Sequence, residues 1–527
     1  MIFILIVAGA VGGGIGGVFL ILFLVILIRS RGVKWIDSIG IHFLASKRNG
    51  VASVVQDVLT FQNRVTYESF LKRWSSVISN YAVFTHVVKN RRFLWSFLKE
   101  TEEFDIANHV FCVDEAITLD EVLQYCQQQS LVPFPSAPHT QEPMNPNLPL
   151  WKVIIFSNLK DSADAQSVLL FRYHRCLADG FSLMQMLLTE SRYAFQEAPI
   201  SRESLLQDTS DSPSSASNSP SGNATAIAEP HTEVVSEVPL VLVSSEQEHS
   251  LYPSLLAKNP KPPCGLRNSS AGSFWRLVCT QKDRVSPLRS KKVADAPRTR
   301  FAKTKIIGAS IDEVMSACDE ELTINDLVLG AVYHAVVSFF GPRCAQEGNR
   351  PVHSLLWLNT GVNDLLYTPV GEREKLALSN RDLTALVLDL PLHCRQPAEC
   401  AMSVHHQLWR KSNSRESHVV QRWLRMWGWL PPFLSDVCFT RFTRRGSFSV
   451  SVIPGPQTAT SLAGNPITSI LSLCPPCGNE ESHFSIVYYN NKIAVSLEAD
   501  DSIVCEEDVQ SLLDLCDQSL LAIVSKQ

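Results

Sequence analysis

One short segment, His174-Arg175-Cys176-Leu177-Ala178-Asp179-Gly180, places an imidazole, a guanidinium and a carboxylate close together. An imidazole takes or gives a proton near neutral pH, which suits it to general acid–base work. Asp179 can hold the local turn through its own hydrogen bonds, and Gly180 permits a close backbone approach. The same residues also fit an ordinary interior, where a strand-end histidine bonds to backbone. The choice between a site and a plain core rests on the elements around the segment.

Those elements start with a strand. From Ser167, the residues Val168, Leu170, Arg172 and His174 fall on one face, and Leu169, Phe171, Tyr173 and Arg175 on the other. After the Asp-Gly break an apolar, helix-like run follows from Phe181 to Leu188. Upstream, Leu150 to Phe156 reads as a buried strand, and the turn Asp161 to Gln166 makes the two strands an antiparallel pair. Tyr67 to Tyr81 has a helical pattern. Leu119 to Gln129 is an amphipathic helix with Thr118 at its N-cap and Asp120 and Glu121 in its first turn.

Further on, Phe301 to Ile307 is strand-like and Ile311 to Cys318 helical. Thr323 or Asn325 caps an apolar helix, Leu327 to Phe340, with Asp326 beside the cap. Leu383 to Leu390 predicts a strand, Ala398 to Trp409 a helix, and Ser449 to Ile453 a strand that stops at Pro454-Gly455-Pro456. Phe484 to Glu498 predicts a hairpin around Asn490-Asn491, and Glu506 to Val524 a closing helix. Between them, Gln421 to Phe433 carries Trp423, Trp427 and Trp429 among Arg422 and Arg425. Such a stretch packs in a core, lies at a membrane interface or lines an apolar tunnel.

The whole chain has 527 residues, 45% of them hydrophobic, and a net charge of -5. That length exceeds one core and predicts at least two domains. The mild acidity argues against nucleic acid as a partner. The 14 cysteines are scattered, as reduced thiols facing the cytosol would be. Cys474-Pro475-Pro476-Cys477 has no second ligand pair nearby and reads as a Pro-rich turn rather than a zinc or redox site.

Met1 to Ile28 carries no charge and is long enough for a transmembrane helix, which takes about 20 residues. Arg29, Arg31 and Lys34 follow, which predicts a single-pass anchor with the main body cytosolic, at the endoplasmic reticulum or a lipid droplet surface. Gly9, Gly13 and Gly17 give a face on which two helices could approach as a homodimer. The alternative is a bent, monotopic hairpin at Gly12-Gly13-Gly14. The organisation expected is therefore an anchor at 1–28, a folded unit at 32–200, a linker at 201–300 and a second unit at 301–527. Within the linker, Ser210 to Ser236 is too polar to offset ordering entropy, and the residues after Arg267 turn basic.

The order of the motifs resembles the wax ester synthase/diacylglycerol acyltransferase family. Pro149-Leu150-Trp151 precedes the His174 to Gly180 segment, the Asn325-Asp326 helix start comes well downstream, and Pro454-Gly455-Pro456 and a hairpin ending in Glu498-Ala499-Asp500 complete the series. The resemblance implies an α/β (α+β) fold of two chloramphenicol-acetyltransferase-like halves with a channel between them. It implies O-acyl transfer from acyl-CoA, a co-substrate rather than a bound cofactor, to a long-chain alcohol or diacylglycerol, with no metal. It also implies a site of His174, Asp179 and Gly180, with Arg175, Asn325, Asp326, Pro454, Gly455 and Pro456 contacting substrate.

Two positions depart from the family pattern. The family has two adjacent histidines and uses the second as base; here that position is Arg175, which stays protonated and cannot take a proton. Val452 stands where the family usually has Asn. The expectations are therefore an active enzyme with His174 as a displaced base, or a catalytically impaired relative that binds acyl-CoA or neutral lipid as the partner of an active enzyme, with another acyl-CoA-dependent transferase acting on a smaller or more polar acceptor as the remaining alternative.

Overall fold

A computed structural model describes residues 34–45, 53–130, 132, 148–186, 283–289 and 299–525, apart from 80, 92–93, 102–103, 161, 185, 284–285, 319–321, 347–350, 360–377, 379, 381, 413 and 479. The expected anchor at 1–28, its glycines Gly9, Gly13 and Gly17, and most of the expected linker lie outside these residues.

The first part of the chain runs β1 (Lys34–Trp35), α1 (Gly40–Ala45), β2 (Val54–Phe61), α2 (Tyr67–Ser79) and α3 (Ala82–Thr85). It continues through β3 (His86–Arg91), β4 (Leu94–Glu100), β5 (Val110–Val113), β6 (Ile117–Thr118) and α4 (Leu119–Gln129) to β7 (Trp151–Phe156), β8 (Leu159–Lys160) and β9 (Ser167–His174). Helix α4 starts as its sequence predicts: the Thr118 hydroxyl accepts from Glu121 N, and the Glu121 carboxylate accepts from Thr118 N. Strands β7 and β9 are antiparallel, with Trp151 opposite Tyr173 and Phe156 opposite Val168.

The second part runs β10 (Arg300–Ile306), α5 (Ile311–Ser316), α6 (Ile324–Gln346), β11 (His353–Asn359), β12 (Leu383–Asp389) and α7 (Pro397–Ser412). Then come α8 (Glu416–Gly428), α9 (Pro432–Thr443), β13 (Phe448–Pro454), β14 (Ser461–Leu462), β15 (Asn465–Leu473), β16 (Ser482–Tyr489), β17 (Lys492–Asp500) and α10 (Glu506–Val524). Helix α6 extends beyond the expected span at both ends. Thr323 is its N-cap: the Asp326 carboxylate accepts from Thr323 N at 2.8 Å and Oγ1 at 2.9 Å. Among the described residues, α6 alone is long and apolar enough to cross a membrane, and its apolar window is 78% buried, the signature of a core helix.

Two six-stranded sheets organise the fold, in the orders β14-β15-β2-β9-β7-β5 and β10-β17-β16-β13-β11-β12. Strands β11, β13 and β16 are parallel neighbours. On β13, Phe448, Val450 and Val452 point into a core with α6, α7 and α10, while Ile453 joins the core of the first sheet. Val452 is thus a packing residue. The expected boundary at residue 301 needs correction here, because β14 and β15 come from the second unit yet complete the first sheet. Strand β15 pairs antiparallel with β2, Leu473 opposite Gln56, and so stitches the halves together.

The linker boundary also moves. Within 201–300, Asp283 accepts from His353 N at 2.9 Å and from Ser447 Oγ at 2.8 Å, so this residue belongs to the second folded part. The tryptophan-rich stretch divides in two: Leu424 is buried in α8, whereas Trp429 and Phe433 are exposed.

Candidate active site

The turn after β9 is held from every side. Strand alternation sends Arg172 to α4, where Nη2 donates to Gln129 O at 2.9 Å, and leaves Tyr173 and Arg175 on the opposite face. Arg175 N donates to Ser53 O at 2.8 Å. Its buried guanidinium donates from Nη1 to Pro475 O at 3.0 Å and to Cys477 Sγ, and lies 5.1 Å from the Phe43 ring. Burial opposes the charge, but Cys474, Cys477 and Glu480 around it outweigh burial and hold its pKa above the ordinary arginine value. The CxxC turn therefore serves as the cradle of a buried cation. Asn380 locks the backbone, donating from Nδ2 to Arg175 O at 3.1 Å, while Asp37 Oδ2 accepts from Asn380 N at 3.0 Å.

His174 Nδ1 accepts from Cys176 N at 3.2 Å. A neutral ring accepting at Nδ1 carries its proton on Nε2. Alternation places this ring on the face of β9 away from Arg175.

Asp179 and Gly180 join the two halves. Asp179 Oδ1 accepts from Ser182 N at 2.6 Å and Oδ2 accepts from Asn359 Nδ2 at 2.8 Å, across to the last residue of β11. Burial pushes its carboxyl up to about 6 against the pull of these bonds. A Cβ on Gly180 would stand 2.7 Å from Ile453 Cδ1, so glycine lets the turn close on β13 without displacing the end of that side chain. A Cβ on Gly455 would stand 2.5 Å from Tyr488 O and 3.7 Å from Met184 Cε, in the helical turn that opens at Gly180. The structure thus brings Asp179, Gly180, Pro454, Gly455 and Pro456 to one corner, at the carboxyl ends of β11 and β13. Asn325 reaches this corner indirectly, its Oδ1 accepting from Tyr488 Oη at 3.0 Å. Asp326 turns the other way, to His405 Nδ1 at 3.0 Å.

The face of the second sheet that meets this turn is polar. Ser449 Oγ lies 2.7 Å from His483 Nδ1, and Ser451 Oγ 2.9 Å from His483 Nε2. Burial, with Arg175 second, holds His483 well below the ordinary imidazole pKa, so the ring is neutral. Ser451 is the one residue of β13 that is not buried. Glu480, on the same seam, accepts from Cys477 N at 3.1 Å and is pushed up to about 7 by burial. From the first sheet, Asp57 accepts from Ser472 Oγ at 2.6 Å and is likewise pushed up to about 7 by burial. Arg300 and Glu498 form a buried ion pair at 3.0 Å.

Reading the sequence did not find Asn359, Ser449, Ser451 or His483. Their signal was present: Ser449 and Ser451 alternate with Phe448, Val450 and Val452, which is the pattern of a strand with one polar buried face.

Comparison with known proteins gives concordant results. Residues 380–524 match the WS/DGAT C-terminal domain. A Mycobacterium tuberculosis protein described as a probable diacylglycerol O-acyltransferase is 22% identical over 369 residues, covering 68% of each chain. A Mycobacterium bovis protein described as a putative diacylglycerol O-acyltransferase gives the same identity and coverage. Among solved structures, the wax ester synthase/diacylglycerol acyltransferase of Marinobacter aquaeolei VT8 superposes with a TM-score of 0.51 at 14% identity, covering 94% of this chain and 99% of that one. The trichothecene 15-O-acetyltransferase of Fusarium sporotrichioides gives 0.55 at 11%, covering 93% and 94%. At these identities the structural likeness shows the fold alone.

Proposed function

We propose that the chain is a member of the wax ester synthase/diacylglycerol acyltransferase family and that it transfers a fatty acyl group from acyl-CoA to the hydroxyl of a long-chain alcohol or diacylglycerol. The observation that carries this reading is the Asp179–Asn359 bond with the Gly180–Ile453 contact, which assembles motifs from both halves into one seam. The acceptor hydroxyl loses its proton as it attacks the thioester carbonyl, and the departing thiolate of CoA regains one. Arg175 cannot serve as the base. Its fixed charge would instead favour negative charge developing in the seam.

Two imidazoles compete for the proton. His174 is the displaced base expected from the sequence; to accept at Nδ1 it must give up the Cys176 N–H. His483 is neutral, shares the seam with Arg175, and reaches the less buried Ser451 hydroxyl directly. In this proposal His483 takes the proton and His174 holds the turn. The body of the protein works at a membrane, where both acceptors reside.

A second reading is favoured by Arg175 itself. A buried cation cradled by Pro475 and Cys477 at the base position fits a relative that binds acyl-CoA or neutral lipid without turning it over. Expression in cells lacking neutral-lipid synthesis, with labelled acyl-CoA and either hexadecanol or diacylglycerol, separates the two. Labelled ester supports transfer; acyl-CoA binding without ester from either acceptor supports the binding reading.

A further inference from the structure

Nine large hydrophobic side chains are exposed among the described residues, and four of them crowd one corner: Trp429 (57%), Phe433 (53%), Val437 (49%) and Leu434 (40%). The corner is the tip of a helical hairpin, where α8 ends at Gly428 and α9 begins at Pro432. Helical spacing explains the exposure. On α9, Ser435, Phe439 and Phe442 are buried, leaving Phe433, Val437, Arg441 and Arg444 on an opposite stripe at i, i+4, i+8 and i+11. On α8, Arg422, Met426 and Trp429 make the matching stripe at i, i+4 and i+7.

Both stripes have the same polarity: apolar at the tip, arginine away from it. Arg422, Arg441 and Arg444 are exposed, while Arg425 is paired with Asp382 at 3.0 Å. The acidic group on α9 is Asp436, half-buried, which accepts from Thr440 Oγ1. At 1.5 Å per residue Arg422 and Arg441 stand roughly 10–12 Å, and Arg444 about 16 Å, behind the apolar tip along each helix axis. An apolar face enters the boundary between headgroups and acyl chains by about 5–10 Å, so arginines at these offsets stay on the headgroup side of an inserted tip.

The position of the hairpin in the fold adds a third argument. The buried side of α9 packs on α1: His42 Nδ1 lies 2.8 Å from Ser435 Oγ, and the His42 ring stacks on Phe439 at 4.9 Å. Helix α1 begins at Gly40, soon after the uncharged run that ends at Ile28. The exposed tip therefore belongs to the helix against which the chain packs as it leaves that run.

We propose that the α8–α9 tip is a docking surface for an anionic bilayer leaflet, with Trp429, Phe433, Leu434 and Val437 entering the acyl boundary and Arg422, Arg441 and Arg444 at headgroup level. The proposal is independent of which residue acts as base, and of whether the protein turns substrate over at all.

The test uses the full chain reconstituted into vesicles of equal parts phosphatidylcholine and phosphatidylserine, the phosphatidylcholine carrying brominated acyl chains that quench buried tryptophan. A quenched emission component should be present in the wild type, be lost in Trp429→Phe, and return when Phe433→Trp is added to Trp429→Phe. It should weaken in vesicles of phosphatidylcholine alone. Equal quenching in the wild type and Trp429→Phe, with none gained from Phe433→Trp, overturns the insertion. Equal quenching with and without phosphatidylserine overturns the anionic assignment. Shielding of Trp429 from aqueous acrylamide without quenching by bromolipid assigns the tip to a protein partner and overturns the proposal.

Discussion

The two walls of the seam are built from similar residue types and do opposite things. On the first-sheet side, the turn from His174 to Gly180 has its polar groups committed to holding geometry: Arg175 to Pro475 and Cys477, Asp179 to Ser182 and Asn359, His174 to Cys176. On the second-sheet side, the two ring nitrogens of His483 hydrogen-bond to the hydroxyls of Ser449 and Ser451, which both donate and accept, so its ring can exchange a proton without breaking a fixed bond. A histidine's role therefore follows from what its two nitrogens touch and not from the motif that contains it. The same comparison separates a scaffold wall from a chemical wall, and substitutions on each should differ in kind.

The largest stability effect is expected at Arg175. Replacing it by Met leaves Pro475 O and Glu480 without their buried cation, and breaking such a contact costs about 3–5 kcal/mol. Urea denaturation should show the loss as a lower midpoint; a change under about 1 kcal/mol would mean that the cradle contributes nothing net. Next come the glycines that let the walls meet. Gly455→Ala drives a methyl into the Tyr488 carbonyl, a backbone atom that cannot move alone, and should cost about 1–3 kcal/mol. Gly180→Ala meets only the end of the Ile453 side chain and should cost less, so a reversed order would contradict the closeness of the corner.

The smallest effect is on pH. Burial raises Asp179 to about 6, and Asp57 and Glu480 to about 7, so the folded chain keeps protons that the unfolded chain releases near 4. Their contribution is fully present below about 4 and is lost as pH rises through 6 to 7. Asp57→Asn should flatten this part of the pH–Tm curve, with the double substitution Asp57→Asn and Glu480→Gln flattening it further. A slope unchanged by both would show that these carboxyls titrate normally.

Much of this architecture was legible in the amino-acid order. Strand β9, helix α4 with its Thr118 cap, the β16–β17 hairpin at Asn490-Asn491 and helix α10 all follow from periodicity and local capping, which are near-neighbour effects. Asp179 as a turn-holder and Gly180 as a point of close approach were equally local. What was not legible depends on contacts distant in the chain. The crossing of β15 into the first sheet, the Asn359–Asp179 bond and the CxxC turn around Arg175 join residues roughly 180–410 positions apart, a range at which spacing carries no information. The exposed face of α9 was hidden for a different reason: Phe433 and Val437 look like core residues until the buried stripe at Ser435, Phe439 and Phe442 is known.

The central claim is that an imidazole of the chemical wall drives acyl transfer in this seam. It is tested most directly by the rate of ester formation from labelled acyl-CoA and a long-chain acceptor, using purified full chain as wild type, His174→Ala, His483→Ala and the double variant, with acyl-CoA binding measured in each. Loss of a general base costs about 10²–10⁴ in rate, and this loss is predicted for His483→Ala and the double variant with binding retained, and a much smaller one for His174→Ala. Ester formation at the wild-type rate in the double variant would contradict the account.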